Sequence, residues 1–393
     1  MERACIPLSM PNIGKAELAY VTEAVKATWV SSAGPDIAAF EREFAEYLHV
    51  DSACAVQSGT AAIHLCLRHF GIGEGDVVLV PTLTFIATIN PVIYQNAEPI
   101  FFDCDDHLCI NVRQVEDYLK AECTFDGTKT IDCKTGKRVA AIIPVHIFGE
   151  YADMDGIMRL AEKYRLIVIE DSTEALGTRD SKGRFAGTIG HAGAFSFNGN
   201  KIMTTGGGGM IVCKDKNSLE HMRYLSQQAK DDLVYFVNNE VGYNYRLTNM
   251  QAALGRAQLS RMGDFIEAKR KNLALYEKLL LSSSYAIFKF KDWATSNCWF
   301  YSLVTGDATG KVRDEMIKFL SAQKIQSRPI WKLNHLQVPF RNYRAKPTPN
   351  AEFWYGQIVN LPCSTNLSED DVRYVCGKVT EFEKGGLCDR QYS

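Results

Sequence analysis

One lysine, Lys201, stands in the stretch "GAFSFNGNKIMTTGGGGMIV" (residues 193–212), among the neutral donors Ser196, Asn198 and Asn200 and ahead of four glycines, Gly206 to Gly209. A lysine withdrawn from water has a lowered pKa and attacks carbonyls as a free amine. The glycines let backbone pass close beside it without side-chain clash. Two other stretches carry complementary chemistry. "AVQSGTAAIHL" reads as strand, tight turn and helix, with Ser58, Gly59 and Thr60 at the helix start. Free N–H groups and the positive end of the helix dipole there face an anion. "RLIVIEDSTEALG" ends an apolar strand with Glu170 and Asp171. A carboxylate buried at such a place must meet a cation, a metal or several donors.

Each feature has a plainer alternative. Ser58 serves equally well as an ordinary N-cap, Glu170 and Asp171 as parts of a structural ion pair or a helix cap, and Lys201 as a solvated loop residue. The lysine stretch is not a phosphate-binding P-loop, which places Gly-Lys-Ser/Thr at the opening of a helix. Nor does the glycine run form G-x-G-x-x-G after a strand; it precedes one, "GMIVC". Taken together, an amine for an aldehyde, an acid for a ring nitrogen and a cradle for a phosphate match one common cofactor, pyridoxal 5′-phosphate. In this reading Lys201 forms the Schiff base, Asp171 keeps the ring nitrogen protonated, and Gly59, Thr60 and Ser196 bind the phosphate. A non-catalytic nucleotide-binding module, using "SGT" as an anion loop, gives no reason for Asp171 and Lys201.

The elements that must position these groups follow from hydrophobic patterning. Over the first two thirds of the chain, short apolar runs ("ACAVQ", "VVLVP", "PIFFD", "VAAIIPV", "RLIVIED") alternate with amphipathic stretches such as "TAAIHLCLRHF" and "MDGIMRLAEKY". Runs apolar on both faces and separated by helices predict a doubly wound α/β fold, its mostly parallel strands buried between helical layers. The carboxyl ends of such strands collect ligands, and all three features fall there. From about Thr248 the texture changes. "TNMQAALGRAQLSRMGDFIEAKRKNLALYEKLL" predicts one long helix, followed by strands ("AIFKF", "WFYSLVT") and the helices "KVRDEMIKFLSAQ" and "SEDDVRYVCGKVTEFEK". The expected division is a large α/β domain over 1–250 and a smaller α+β domain over 251–393.

Composition narrows the classes. The chain has 393 residues, 46% hydrophobic and 23% charged, with a formal net charge of −2, so no electrostatic case exists for nucleic acid or an anionic membrane. No run approaches the roughly 18 apolar residues of a membrane span, and the N-terminus lacks the apolar core of a secretory signal. The 12 cysteines are scattered through apolar runs, as suits reduced thiols in the cytoplasm. Their one cluster, Cys104, His107 and Cys109 in "CDDHLC", has no matching second pair, so it reads as a strand end running into a turn, with no metal site.

With these residues in place, the sequence resembles the DegT/DnrJ/EryC1/StrS family of nucleotide-sugar aminotransferases. The resemblance is carried by "IPLSMPNIG", "SGTAAIHL", "VPTLTFIATINPV", "PVHIFGEYADMD", "IEDSTEALG", "SFNGNKIMTTGGGGMIV", "GYNYRLTNMQAALGRAQL" and "NLPCSTNLSEDDV", in that order. It implies the aspartate aminotransferase (type I) fold and roles for residues beyond those already read. Phe85 matches the aromatic that stacks on the cofactor ring. Asn244 matches a residue reaching the phosphate of the neighbouring subunit, so a homodimer with its active site at the interface is expected. Glu174 falls where many relatives carry glutamine against the cofactor, and a carboxylate there needs a proton or a cationic partner. "TGKRVAAIIPVHIFG" and "SRPIWKLNHLQ" resemble a subgroup acting at C4 of UDP-linked 4-keto-6-deoxy-N-acetylhexosamines. Arg328, Trp331 and His335 are then substrate-side residues. The implied activity is transfer of an amino group from L-glutamate to such a sugar, in surface polysaccharide or glycan biosynthesis. GDP- and dTDP-linked keto-sugars, and C3 amination, stand as alternatives.

Overall fold

The apolar runs become the strands of one large sheet because both of their faces are covered. Its strands are β1 (Ala53–Val56), β2 (Asp76–Pro81), β3 (Glu98–Phe102), β4 (Cys123–Phe125), β5 (Thr130–Asp132), β6 (Arg138–Ile142), β7 (Ile167–Asp171), β8 (Ala192–Ser196) and β9 (Gly209–Cys213). Seven of them lie in the order β1-β9-β8-β7-β6-β2-β3. Strands β3, β2, β6, β7 and β8 run parallel; of these seven β9 alone is reversed against both its neighbours, and off their path β5 runs antiparallel to β4 and β6. This is the mostly parallel α/β sheet expected from the patterning. The structure, a computed structural model, describes residues 4–232 and 234–390, with side chains as far as 385.

Two apolar layers sandwich the sheet. On one side, rings from the helix Pro35–Leu48 pack against β8 and its continuation. Phe44 lies 5.2 Å from Phe195 and 5.6 Å from Phe197, and Phe40 lies 5.3 Å from Phe197, ring centre to ring centre. These contacts fix the strand that ends at Ser196. On the other side the helix Gly59–His69 buries nearly every position of its first two turns. "CDDHLC" is a turn off β3, in which Asp105 accepts from the N–H groups of His107 and Cys109 and both flanking cysteines enter the core.

A second sheet is antiparallel and small: β10 (Ala286–Ile287), β11 (Tyr301–Val304), β12 (Arg328–Pro329) and β13 (Ile358–Leu361), ordered β10-β11-β13-β12. The single long helix expected after Thr248 is instead two helices, Asn249–Leu259 and Met262–Leu279. Two polar side chains account for the break. The Ser260 hydroxyl donates back to the Ala257 carbonyl, and the Arg261 guanidinium turns away to pair with buried Glu17 at 2.7 Å. Apolar periodicity alone does not register such a stop.

Isolated bridges join segments distant in sequence. Ile6 bridges Ile325, and Ala345 bridges Phe101 on the edge strand β3. Among the described residues no helix is long and apolar enough to cross a membrane.

The last glycine of the run opens β9 at a place where no side chain fits. A Cβ on Gly209 would stand 2.5 Å from the Ser58 carbonyl carbon and 2.7 Å from the Phe195 carbonyl oxygen. Both obstacles are backbone, so neither can rotate away. Gly209→Ala is expected to lower stability by about 2 kcal/mol or more, in the range of overpacked interiors. Urea denaturation checks it: the midpoint should fall while the slope stays constant.

Candidate active site

Three strand ends converge on one cleft of about 320 Å³. Beyond β1, Ser58 caps the helix Gly59–His69, its hydroxyl accepting from the Ala61 N–H at 3.0 Å. Gly59 is required by close approach: a Cβ there would lie 2.8 Å from the Thr173 methyl and 3.0 Å from Ser196 Cβ. The helix start, Thr60 and Ser196 therefore line one shallow cradle of donors.

The strand-end acids Glu170 and Asp171 divide between the two faces of β7. Glu170, fully buried, accepts from His146 Nε2 at 2.9 Å and from the N–H groups of Gly187, Ile189 and Gly190. These donors outweigh the cost of burial and hold its carboxyl below the usual range. It is a structural anchor. Asp171 turns into the cleft, 3% exposed, accepting from the Thr88 hydroxyl at 2.6 Å and the Thr173 N–H at 3.1 Å. Thr88 is itself placed by Thr84, 2.9 Å away.

Lys201 projects into the same cleft with only 12% of its side-chain surface exposed. Its amine lies 4.2 Å from the centre of the Trp299 ring and 3.7 Å from Glu174 Oε1. Burial lowers the lysine pKa, partly offset by the negative charges of Glu174 and Asp171. Burial also pushes the Glu174 carboxyl up to about 7, against the pull of Lys201. The other Glu174 oxygen accepts from the Phe148 N–H at 2.9 Å. Phe148 presents that N–H from a left-handed backbone conformation, φ 56° and ψ 14°.

The cleft thus gathers Gly59, Thr60, Phe85, Asp171, Glu174, Ser196, Lys201 and, from the far end of the sequence, Trp331. Phe85 is half exposed at the rim, its ring 5.1 Å from that of Trp331. Three other candidates lie elsewhere. Asn244 is exposed, bridging Gln227 on the surface. Arg328 is exposed on β12. His335 contacts the loop after β2, its Nδ1 2.6 Å from the Thr82 hydroxyl.

Other positioning residues escaped the sequence reading. Asn297 donates to the carbonyls of Glu174 and Leu176, joining the loop after β7 to the segment entering β11. Asn334 donates to the carbonyls of Thr82 and Thr84, holding the loop that bears Phe85. The Trp299 indole N–H donates to the Asn200 carbonyl, and buried Lys269 donates to the Trp299 carbonyl at 2.7 Å. Thr88 alone carried a local signal, a hydroxyl three residues past Phe85 in "TFIAT".

The DegT/DnrJ/EryC1/StrS aminotransferase family model matches residues 11–380. The chain belongs to that family. This aminotransferase is 37% identical to the GDP-perosamine synthase of Escherichia coli O157:H7 over 378 residues, 96% of this chain and 98% of that protein. It is 36% identical to the GDP-perosamine synthase of Caulobacter vibrioides, over 93% and 95% of the two chains. Its fold matches the crystal structure of a DegT/DnrJ/EryC1/StrS aminotransferase from Brucella abortus with a TM-score of 0.85 at 30% identity, covering 94% of this chain and 95% of that one. The aminotransferase is a pyridoxal 5′-phosphate enzyme. The relatives are named for a GDP-linked product, whereas the sequence resemblance implied a UDP-linked one.

The cleft of this aminotransferase fits its cofactor on two counts. The close approach at Gly59 brings the Ser196 hydroxyl against the free N–H groups of the helix start, a donor cradle for a phosphate, and an ordered carboxylate, Asp171, faces the same cleft. Thr88→Val keeps the shape and removes one donor to Asp171. Hydrogen bonds to charged groups are worth about 1.5–3 kcal/mol, so cofactor affinity should fall by roughly tenfold or more. Titration of the pyridoxal absorbance band checks this.

Proposed function

We propose that this aminotransferase moves the amino group of L-glutamate to C4 of a GDP-linked 4-keto-6-deoxy sugar, in glycan biosynthesis. The observation that carries the reaction type is the shielded amine of Lys201, in one cleft with the Asp171 carboxylate and the cradle at Gly59 and Thr60. The GDP assignment, in place of the UDP sugar first expected, rests on the two relatives named for GDP-perosamine, each matched over at least 93% of this chain.

Pyridoxal phosphate supplies an aldehyde to hold the amino group and a ring to take up the electron pair of the carbon that loses its proton. The chain's own residues do the rest. Thr60, Ser196 and the helix start bind the phosphate. Asp171, kept in place by Thr88 and Thr173, would hold the ring nitrogen with its carboxylate. Lys201 anchors the cofactor, and its freed amine takes the proton from the α-carbon of the donor. In the second half-reaction the same Nζ returns a proton to the sugar carbon that receives the amine. A base already fixed beside the reacting atoms needs no encounter with solvent.

The Phe85 and Trp331 rings, tilted at 53° to each other, form an apolar corner suited to the substrate side, with Arg328 available to the phosphates of the nucleotide. His335, engaged with Thr82, acts through the Phe85 loop. A homodimer suits the surface near Asn244: Val234, Tyr235, Phe236 and Val241 are 74, 80, 73 and 75% exposed, more apolar surface than a segment normally leaves to water.

The deciding experiment is a panel of GDP-, UDP- and dTDP-linked 4-keto sugars with glutamate, products identified by mass and NMR. The GDP sugar should give the fastest conversion, with the new amine at C4. Preference for a UDP sugar would reverse the assignment. Lys201→Ala should leave no reducible pyridoxyl adduct on the peptide containing residue 201, and should cost at least about 10³-fold in turnover.

A further inference from the structure

Lys201 and Glu174 are both withdrawn from water, with 12% and 3% of their side-chain surfaces exposed, at 3.7 Å. Two such groups can settle as an ion pair or as a neutral amine beside a neutral acid. Attraction favours the first arrangement and desolvation the second. The neighbours leave this balance close. From β7 comes one further acid acting on Lys201, Asp171, already engaged by Thr88 and Thr173. From the turn Ile147–Gly149 comes only the Phe148 N–H. From the segment before β11 comes the uncharged Trp299 ring, and from residue 331 another indole. Among the described residues no second cation is placed against Glu174.

We infer that Glu174 is the proton store for Lys201: one proton passes between Lys201 Nζ and Glu174 Oε1. In the forward direction an N–H bond of the ammonium breaks and an O–H bond forms, leaving a free amine and a carboxylic acid. Charge is conserved over the pair and no electron is transferred. The donor at Phe148 occupies Oε2, so Oε1 is the oxygen left facing the lysine. At 3.7 Å the two atoms are beyond a hydrogen bond, and the flexible lysine stem has to close the gap by about 0.7 Å. Burial moves the two groups toward each other in acidity, Glu174 up to about 7 and Lys201 downward. Glu174 then acts through Lys201, as a positioning residue for its proton. The inference rests on Lys201 being the working amine of the proposed reaction.

The test uses the cofactor-free full-length chain. Labelling with limiting acetic anhydride, read by mass on the peptide containing residue 201, reports the fraction of free amine at each pH. In Glu174→Gln the carboxylate that favours the ammonium is gone, so the labelling midpoint should drop by about one pH unit. Glu174→Asp, which keeps an acid, should stay near the wild type. An unchanged midpoint in folded Glu174→Gln overturns the inference, as does a Glu174→Asp midpoint equal to that of Glu174→Gln. If Glu174→Gln fails to fold by circular dichroism, the wild-type curve decides. Two labelling steps with a break near pH 7 support the shared proton. A single step in the ordinary lysine range refutes it. Absence of a pyridoxal band after cofactor addition would defeat the transamination reading while leaving the labelling curve intact, so the two failures are distinguishable.

Discussion

Keeping one amine out of water is the constraint on which the cleft depends. The Trp299 ring beside Lys201 favours the ammonium by about 0.5–2 kcal/mol and so cannot itself produce a nucleophile. The two nearby acids favour the ammonium as well. Burial alone acts the other way, and it is burial that sets the direction of the lysine's shift. The layers above and below the site therefore have a chemical duty. The Trp299 ring, its indole N–H held by the Asn200 carbonyl and its backbone carbonyl by Lys269, covers the Lys201 side chain, while the phenylalanine cluster fixes the strand that ends at the cleft.

The adjacent acids of β7 show how strand geometry separates duties. Successive side chains of a strand point to opposite faces. Glu170 consequently meets an imidazole and three backbone N–H groups, and its charge is spent on tying Gly187, Ile189 and Gly190 under the sheet. Asp171 meets two donors and an open cleft. A reversal of register by one residue would exchange the two environments and leave the cleft without its acid.

What the sequence makes legible follows from the range over which the relevant forces act. Strands apolar on both faces announce a parallel sheet because their burial is local to each run. The groups at Gly59, Asp171 and Lys201 are readable because each lies next to such a strand. Asn297 and Asn334 are not readable, since they act across 123 and 250 residues, on backbone carbonyls that carry no sequence signature. Likewise the helix break at Ser260 and Arg261 comes from a buried partner, Glu17, on a helix more than two hundred residues earlier. Glu174 sits between these cases. Its departure from glutamine is visible in the sequence, but its partners, the Phe148 N–H and the Lys201 amine, are supplied by tertiary structure.

The two amides also decide how the site responds to heat. Asn297 and Asn334 rivet two walls of the cleft to the segments that precede β11 and follow β12, through directional bonds that fail over a few tenths of an ångström, whereas apolar contacts can slide and re-form. Walls held in this way cannot loosen by degrees. Thermal inactivation should therefore be abrupt, with the pocket dismantled in the same cooperative event that parts the sheets, and without a warm, half-open form in which the lysine is wetted while the fold persists.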